Sequence, residues 1–333
     1  MTDLLAPFLA AMSHPLTQPV DVIAYAVPAF IALILIEIAW ARRHAPDAYE
    51  ARDMLTSLLL GLGSTIAGAL VAGAIYGAAQ WLYLHRVATV PYAWWSWIAV
   101  LLLDDFNYYW AHRTGHRVRW FWAAHVNHHT SQHYNLSTAL RQTWTGFIAL
   151  SFMFRMWPAF VGVPPEMLLT VGAANTVGQF WIHTEAVRRM PAWFEWVFNT
   201  PSHHRVHHAT NPLYLDRNFA GVFMFWDRLF GTFQPELDEQ PAHYGVIRQL
   251  GTFSVLHSVF HEWKAMLKDF ATAPLRYKLA YLVREPGWSH DGSRDSSDAI
   301  RARWLARNGA LPPDEPQRMA DEGIAIGHPQ HVV

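Results

Sequence analysis

The chain has 333 residues, of which 52% are hydrophobic and only 15% charged, with a formal net charge of −1 at pH 7. Soluble domains carry about 25% charged residues, so the composition points to a membrane, and the near-neutral balance argues against a broad nucleic-acid-binding surface. There is no cysteine, which excludes disulfides, thiolate zinc sites, iron–sulfur clusters and cysteine nucleophiles and leaves nitrogen and oxygen to bind any metal.

Residues 1–20 contain Pro7, Pro15 and Pro19 and read as a short amphipathic lead-in. No basic region precedes their apolar run, so no cleavable signal peptide is expected. Residues 21–40, DVIAYAVPAFIALILIEIAW, have the length of a first membrane span across about 30 Å of hydrocarbon. Pro28 is tolerable there as a kink. A polar loop with Arg42, Arg43 and Arg52 follows. Residues 54–84 form a longer apolar run rich in Gly and Ala, which lets membrane helices approach closely. Residues 93–112 predict a third helix with aromatic ends suited to the interface. Two further apolar segments, 144–162 and 166–184, are separated by the VPPE turn and predict a membrane hairpin that delivers His183. From Arg188 onward the composition becomes soluble. The expectation is an all-α, polytopic integral membrane protein with about four to five membrane segments and a cytoplasmic helical cap. Its divisions are expected at 1–92 (N-terminal membrane helices), 93–235 (catalytic core) and 236–333 (C-terminal helical and irregular region). The arginines of the first loop place that loop in the cytoplasm. Alternation of the spans then brings every histidine cluster to the cytoplasmic side.

Histidine is the informative residue. HRTGHRVRWFWAAHVNHH at 112–129 and PSHHRVHH at 201–208 together hold His112, His116, His125, His128, His129, His203, His204, His207 and His208, nine of the 20 histidines. His112 and His116 are four apart and share a helix face. His125, His128 and His129 repeat the three- and four-residue spacings. Thr200 fits an N-cap and Pro201 a first helical position, which starts a helix on which His204, His207 and His208 share a face. His203 stands about 100° from His204 and is placed as an outer or alternative ligand. So many buried imidazoles are costly without a partner, and metal offsets that cost. One structural zinc needs four ligands, so the count points to two metals with open positions. Imidazole suits iron, copper, zinc and nickel alike, and the spacing does not choose among them. HExxH is absent, so a zincin-type protease is not supported. The isolated histidines His14, His44, His85, His133, His243, His257, His261, His290, His328 and His331 read as ordinary polar residues.

Around the rings, Asp105 and Tyr108 share the face of His112 and are candidates to orient it by hydrogen bonds. Asp216 and Asn218 are placed to meet the last histidines. Glu185, two after His183, is an outer partner or an exposed charge. Asp227 and Arg228 are expected to pair, and Arg141 to touch substrate or a loop carboxylate.

HRTGH, HVNHH and HRVHH, with QFWIHTE, NTPSHHRVHH, LDRNFAGV and WDRLFGTF, resemble the fatty acid hydroxylase and sterol desaturase superfamily, in particular its alkylglycerol monooxygenase-like bacterial members. The likeness covers about residues 95–235. It implies a membrane-bound non-heme di-iron oxygenase that uses O2 to hydroxylate, oxidatively cleave or desaturate a lipid alkyl or acyl chain. It also implies two irons held by His112, His116, His125, His128, His129, His183, His204, His207 and His208, with electrons from tetrahydrobiopterin or a protein donor. Some members carry a further histidine after the position of His183. Here Thr184, Glu185, Ala186 and Val187 follow, and Glu185 stands as the substitute. Two other classes remain: a non-catalytic metal- or heme-handling membrane protein, and a zinc-dependent membrane lipid hydrolase.

Overall fold

The computed structural model describes residues 19–309. The lead-in up to residue 18, the end of the tail, and His14, His328 and His331 lie outside the described residues. Helix α1 spans Val22–His44; Asp21 caps it by accepting from the Ala24 amide at 3.0 Å, and Arg42, Arg43 and His44 sit favourably at the negative end of its dipole. A 3-10 turn at Pro46–Ala48 leads to α2 at Ala51–Leu84, capped by Glu50. Both helices are long and apolar enough to cross a membrane, and most of their side chains face outward. Only helices or closed barrels satisfy every backbone group in lipid, and no strand forms among the described residues beyond two isolated bridges.

The third helix, α3 at Trp94–Arg117, continues past the expected end and carries His112 and His116 on its last turns. Its middle buries Asp104, Asp105 and Asn107, and Arg155 pairs with Asp104. Then follow α4 at Arg119–His125 and 3-10 turns at Val126–Thr130 and Leu136–Leu140.

The continuous hairpin helices expected over 144–162 and 166–184 do not form. The first segment breaks into turns and two single-turn helices, α5 at Met153–Met156 and α6 at Pro158–Val161. Pro158 has no amide to donate, and Leu150 and Gly162 have φ of 61° and 124°. A Cβ at Gly162 would stand 2.4 Å from the Ala88 carbonyl oxygen. Helix α7 at Pro165–Gly178 has 14 residues, about 21 Å at 1.5 Å per residue, too short to cross the hydrocarbon alone.

Short helices α8 at Ala192–Val197, α9 at Pro201–His208 and α10 at Phe225–Leu229 follow. The C-terminal region adds α11 at Val255–Thr272, α12 at Ala280–Val283 and α13 at Ser297–Asn308. One apolar cluster joins α3, α6 and α7 through Val100, Ala159, Met167 and Val171. Another clamps α11 on α4, with Trp263 and Met266 against Ala123, Ala124 and Ala149. Buried ion pairs bind the polar end together: Arg119 with Glu262 at 2.6 Å and Asp269 at 2.7 Å, Arg141 with Asp53 at 2.5 Å, and Arg205 with Glu236 at 2.7 Å.

A paired histidine centre

The end of α3, the α4 turn, the loop after α7 and all of α9 converge. One ring nitrogen each from His112, His116, His125, His129 and His207 forms a first group, and one each from His128, His183, His204 and His208 a second; within each group all lie within 4.8 Å of one another. No carboxylate belongs to either group among the described residues. The helical repeat explains the division. His112 and His116 enter one group. His125 and His129, four apart, join them, while His128 turns to the other. On α9, His204 and His208 stay together and His207 crosses over. The expectation that His204, His207 and His208 serve one face is therefore refined: the face splits between two centres.

Hydrogen bonds to backbone carbonyls fix four of the rings. The Nδ1 of His112 donates to Phe219 O (2.9 Å), that of His128 to Arg141 O (3.1 Å), that of His183 to Gln179 O (3.0 Å) and that of His207 to Arg217 O (3.0 Å). A carbonyl only accepts, so Nδ1 carries the proton, and in a neutral ring Nε2 is left as a lone pair. Burial pushes His125, His128, His129, His204, His207 and His208 well below the ordinary imidazole range, and the neighbouring rings push them further. The Nε2 atoms of His128 and His183 nevertheless stand 3.3 Å apart. Two lone pairs face each other there, an arrangement that a cation between them makes favourable.

Other close approaches agree: His112 to His125 at 3.1 Å, His125 to His129 at 3.2 Å, His183 to His204 at 3.0 Å and His204 to His208 at 3.1 Å between Nε2 atoms. A metal–imidazole bond of about 2.1 Å places neighbouring ligand nitrogens roughly 3.0 Å apart in an octahedron and about 3.4 Å in a tetrahedron. Nε2 of His116 and of His207 are buried without a protein hydrogen-bond partner. Such orphaned groups are costly unless something binds them. The residues fit two metal ions.

His116 differs from the four carbonyl-bonded rings. Its Nδ1 faces the Asp216 carboxylate at 3.5 Å, and Asp216 also meets Arg117 at 3.2 Å. Asp216 thus meets the histidines as expected. Asn218 does not: its side chain donates to His203 O (3.0 Å) and Gln234 O (2.7 Å) and accepts from the Gln234 amide (2.8 Å), touching no ring. Both residues hold left-handed φ, 54° and 55°, which Asp and Asn tolerate best among side-chain-bearing residues. His203 lies outside both groups. Its Nδ1 approaches Thr200 Oγ1 at 3.4 Å, its ring packs on Phe233, and burial pushes its pKa down to about 3. Thr200 does not cap α9 with its side chain; its hydroxyl donates to Glu195 instead.

Asp105 orients no ring. Seven residues separate it from His112, about 10.5 Å along a helix, which is beyond a carboxylate's reach. It accepts from the Val222 and Phe223 amides (2.8 and 3.0 Å), Asn175 (3.0 Å) and Trp226 (3.1 Å), anchoring the segment that follows the last histidines. Asp227 accepts from the Phe219 and Ala220 amides and from Thr232, fixing the Phe219 carbonyl that holds His112, whereas Arg228 stacks over Phe233 at 3.7 Å. Glu185 accepts from the Tyr244 hydroxyl at 2.9 Å, away from both groups. Arg141 meets a carboxylate, that of Asp53 in the first turn of α2. Residues that the sequence reading missed are Trp122, beside His116 and His129, and Tyr134, which lies against His183 and His208 and donates to Ile182 O at 2.9 Å. A cavity of about 730 Å³ reaches His116, His129, His207 and His208 from the side of Arg248 and His257.

Fold and site together define a helical protein with two apolar, span-length helices and a paired, all-histidine centre at their polar ends. The fatty acid hydroxylase family model matches residues 97–232. Alkylglycerol monooxygenase of Xenopus tropicalis is 36% identical over 275 residues, covering 80% of this chain and 60% of that protein. The Homo sapiens alkylglycerol monooxygenase is 35% identical over 279 residues, with the same coverage of 80% and 60%. Ornithine lipid hydroxylase OlsE of Rhizobium tropici is 24% identical over 210 residues, 61% of this chain and 62% of that protein. No solved structure matches significantly. The chain belongs to the fatty acid hydroxylase and sterol desaturase superfamily. It spans about 60% of the length of the curated relatives it matches.

Proposed function

We propose that the chain is a membrane-bound lipid oxygenase. Its two histidine groups would hold two iron ions, with His112, His116, His125, His129 and His207 on one and His128, His183, His204 and His208 on the other. The facing lone pairs of His128 and His183 carry the metal reading. The choice of iron rests on the relatives, which are named monooxygenases and hydroxylases; zinc has no redox chemistry. Bound iron would supply the activation of O2 needed to oxidise an unactivated C–H bond.

The chain's own residues hold and orient the centre. Carbonyls of Phe219, Arg141, Gln179 and Arg217 fix which ring nitrogen faces inward. Burial keeps the α9 rings neutral and able to bind metal at neutral pH. The substrate is the alkyl or acyl chain of a membrane lipid, entering beside the spanning helices. The cavity over His116 and His207 offers an external reductant, a tetrahydropterin or an electron-carrier protein, a polar approach. Residues 93–235 are the catalytic core, and the histidines face the cytoplasm. The test is product analysis with purified protein, an alkylglycerol and isotopically labelled O2, with and without a tetrahydropterin. Label in the lipid-derived product is the expected result. O2-independent cleavage of the lipid by a zinc-loaded protein would overturn it.

A further inference from the structure

The C-terminal segment 253–284 lies beyond the matched family region and uses only one side for packing. On α11 the inner face buries Val259, Trp263 and Met266, and Trp263 and Met266 pack on α4 with Phe260 beside them. The outer face carries Leu256, Lys264, Leu267 and Ala271, all exposed and spaced at eight, three and four residues along one helical face. The chain then continues with Leu275, Leu279 and Val283, which are 87%, 71% and 60% exposed. Basic residues interleave with them: Lys264, Lys268, Arg276, Lys278 and Arg284. The segment's acidic groups, Glu262 and Asp269, are turned inward onto Arg119, and Asp269 also holds Arg294. The outer surface is therefore apolar and positive. The segment is also tied to the apolar helices, since Thr56 in α2 donates its hydroxyl to Phe253 O at 2.8 Å. Trp263 donates to Thr145, at the start of a stretch whose Phe147, Ile148, Leu150 and Met153 are exposed.

We infer that residues 253–284 lie in the plane of the membrane surface, with an anionic lipid bilayer as partner. Exposed leucines on a helix flanked by lysine and arginine enter the headgroup boundary, while the long basic side chains reach back to anionic headgroups. The anchor holds α11, and through it α4 with His125, at the depth where a lipid chain leaves the bilayer. The inference rests on α1 and α2 crossing a bilayer and is independent of the metal assignment.

The chain has no native cysteine, so single-site labelling of the full protein is clean. Leu275→Cys and Leu279→Cys would carry an environment-sensitive fluorophore in vesicles of phosphatidylcholine and phosphatidylglycerol containing spin-labelled lipid. Leu70→Cys in α2 serves as the bilayer reference and Ala306→Cys on α13 as the water reference. Blue-shifted emission and severalfold stronger quenching at 275 and 279 than at 306 is expected, falling when phosphatidylglycerol is omitted. Water-like emission at both positions, with Leu70→Cys still quenched, would overturn the inference and leave the spans standing. A blue shift without lipid quenching would overturn it in favour of a protein partner or a second copy. Equal quenching with and without phosphatidylglycerol would overturn the role given to the basic residues. An unquenched label at Leu70→Cys would sink the inference and the membrane reading together.

Discussion

Replacing Asp216 with asparagine separates the two centres. Asp216 is the carboxylate that faces the outer nitrogen of His116, at 3.5 Å. Four other rings are steadied by backbone carbonyls, which no substitution removes. Asparagine tolerates the left-handed φ of 54° and keeps the size of the side chain. Arg117 loses a charge partner but keeps Asp298 at 2.9 Å, so the cost to folding is about 1 kcal/mol or less. Loss of such an outer partner weakens metal binding by about 10–100-fold, or roughly 1.4–2.7 kcal/mol. The assay is chelator titration of the metal-loaded protein in detergent, with metal counted per chain. Asp216→Asn should release one ion at about ten- to hundredfold lower chelator concentration and leave the other unmoved. Equal weakening of both ions, or of neither, would refute the division into two centres.

Three further outcomes follow from the same geometry. His207→Ala and His208→Ala change adjacent residues yet should deplete different ions, His207→Ala the five-histidine group and His208→Ala the four-histidine group; spectra of singly loaded protein would show it, and identical spectra would contradict it. Asp53→Asn strands the buried Arg141 guanidinium, which should cost about 3–5 kcal/mol and lower the thermal midpoint; because the Arg141 carbonyl holds His128, retention should drop first in the four-histidine group. Acid should destabilise the metal-free protein. His204, His207 and His208 titrate well below 6.5 in the fold, and His203 at about 3, whereas the unfolded chain binds protons near 6.5. The unfolded state gains protons first, so stability falls as pH drops below about 6.5. A melting temperature independent of pH between 7 and 5 would contradict this.

The grouping of the histidines was legible because helical spacing is local. Pairs four apart, His112 with His116, His125 with His129 and His204 with His208, each reach one group. What spacing cannot carry is depth and tertiary approach. Asp105 shares the face of His112 but sits two turns away and serves the loop at Val222 and Phe223. The groups that steady the rings are mostly main-chain carbonyls of Phe219, Arg217 and Arg141, which have no sequence signature. Apolar composition also overstated the hairpin. Residues 144–162 are apolar enough for a span, but Pro158, Gly162 and the left-handed Leu150 break the helix. Glu185 follows His183 by two residues, yet the turn between them sends it to Tyr244.

The most direct test is the metal content of the full chain purified in detergent, read by elemental analysis together with its optical spectrum before and after reduction. Two redox-active iron ions per chain are predicted, both lost from a variant lacking His128 and His207. Stoichiometric zinc, a single ion, or full iron retention in that variant would contradict the account.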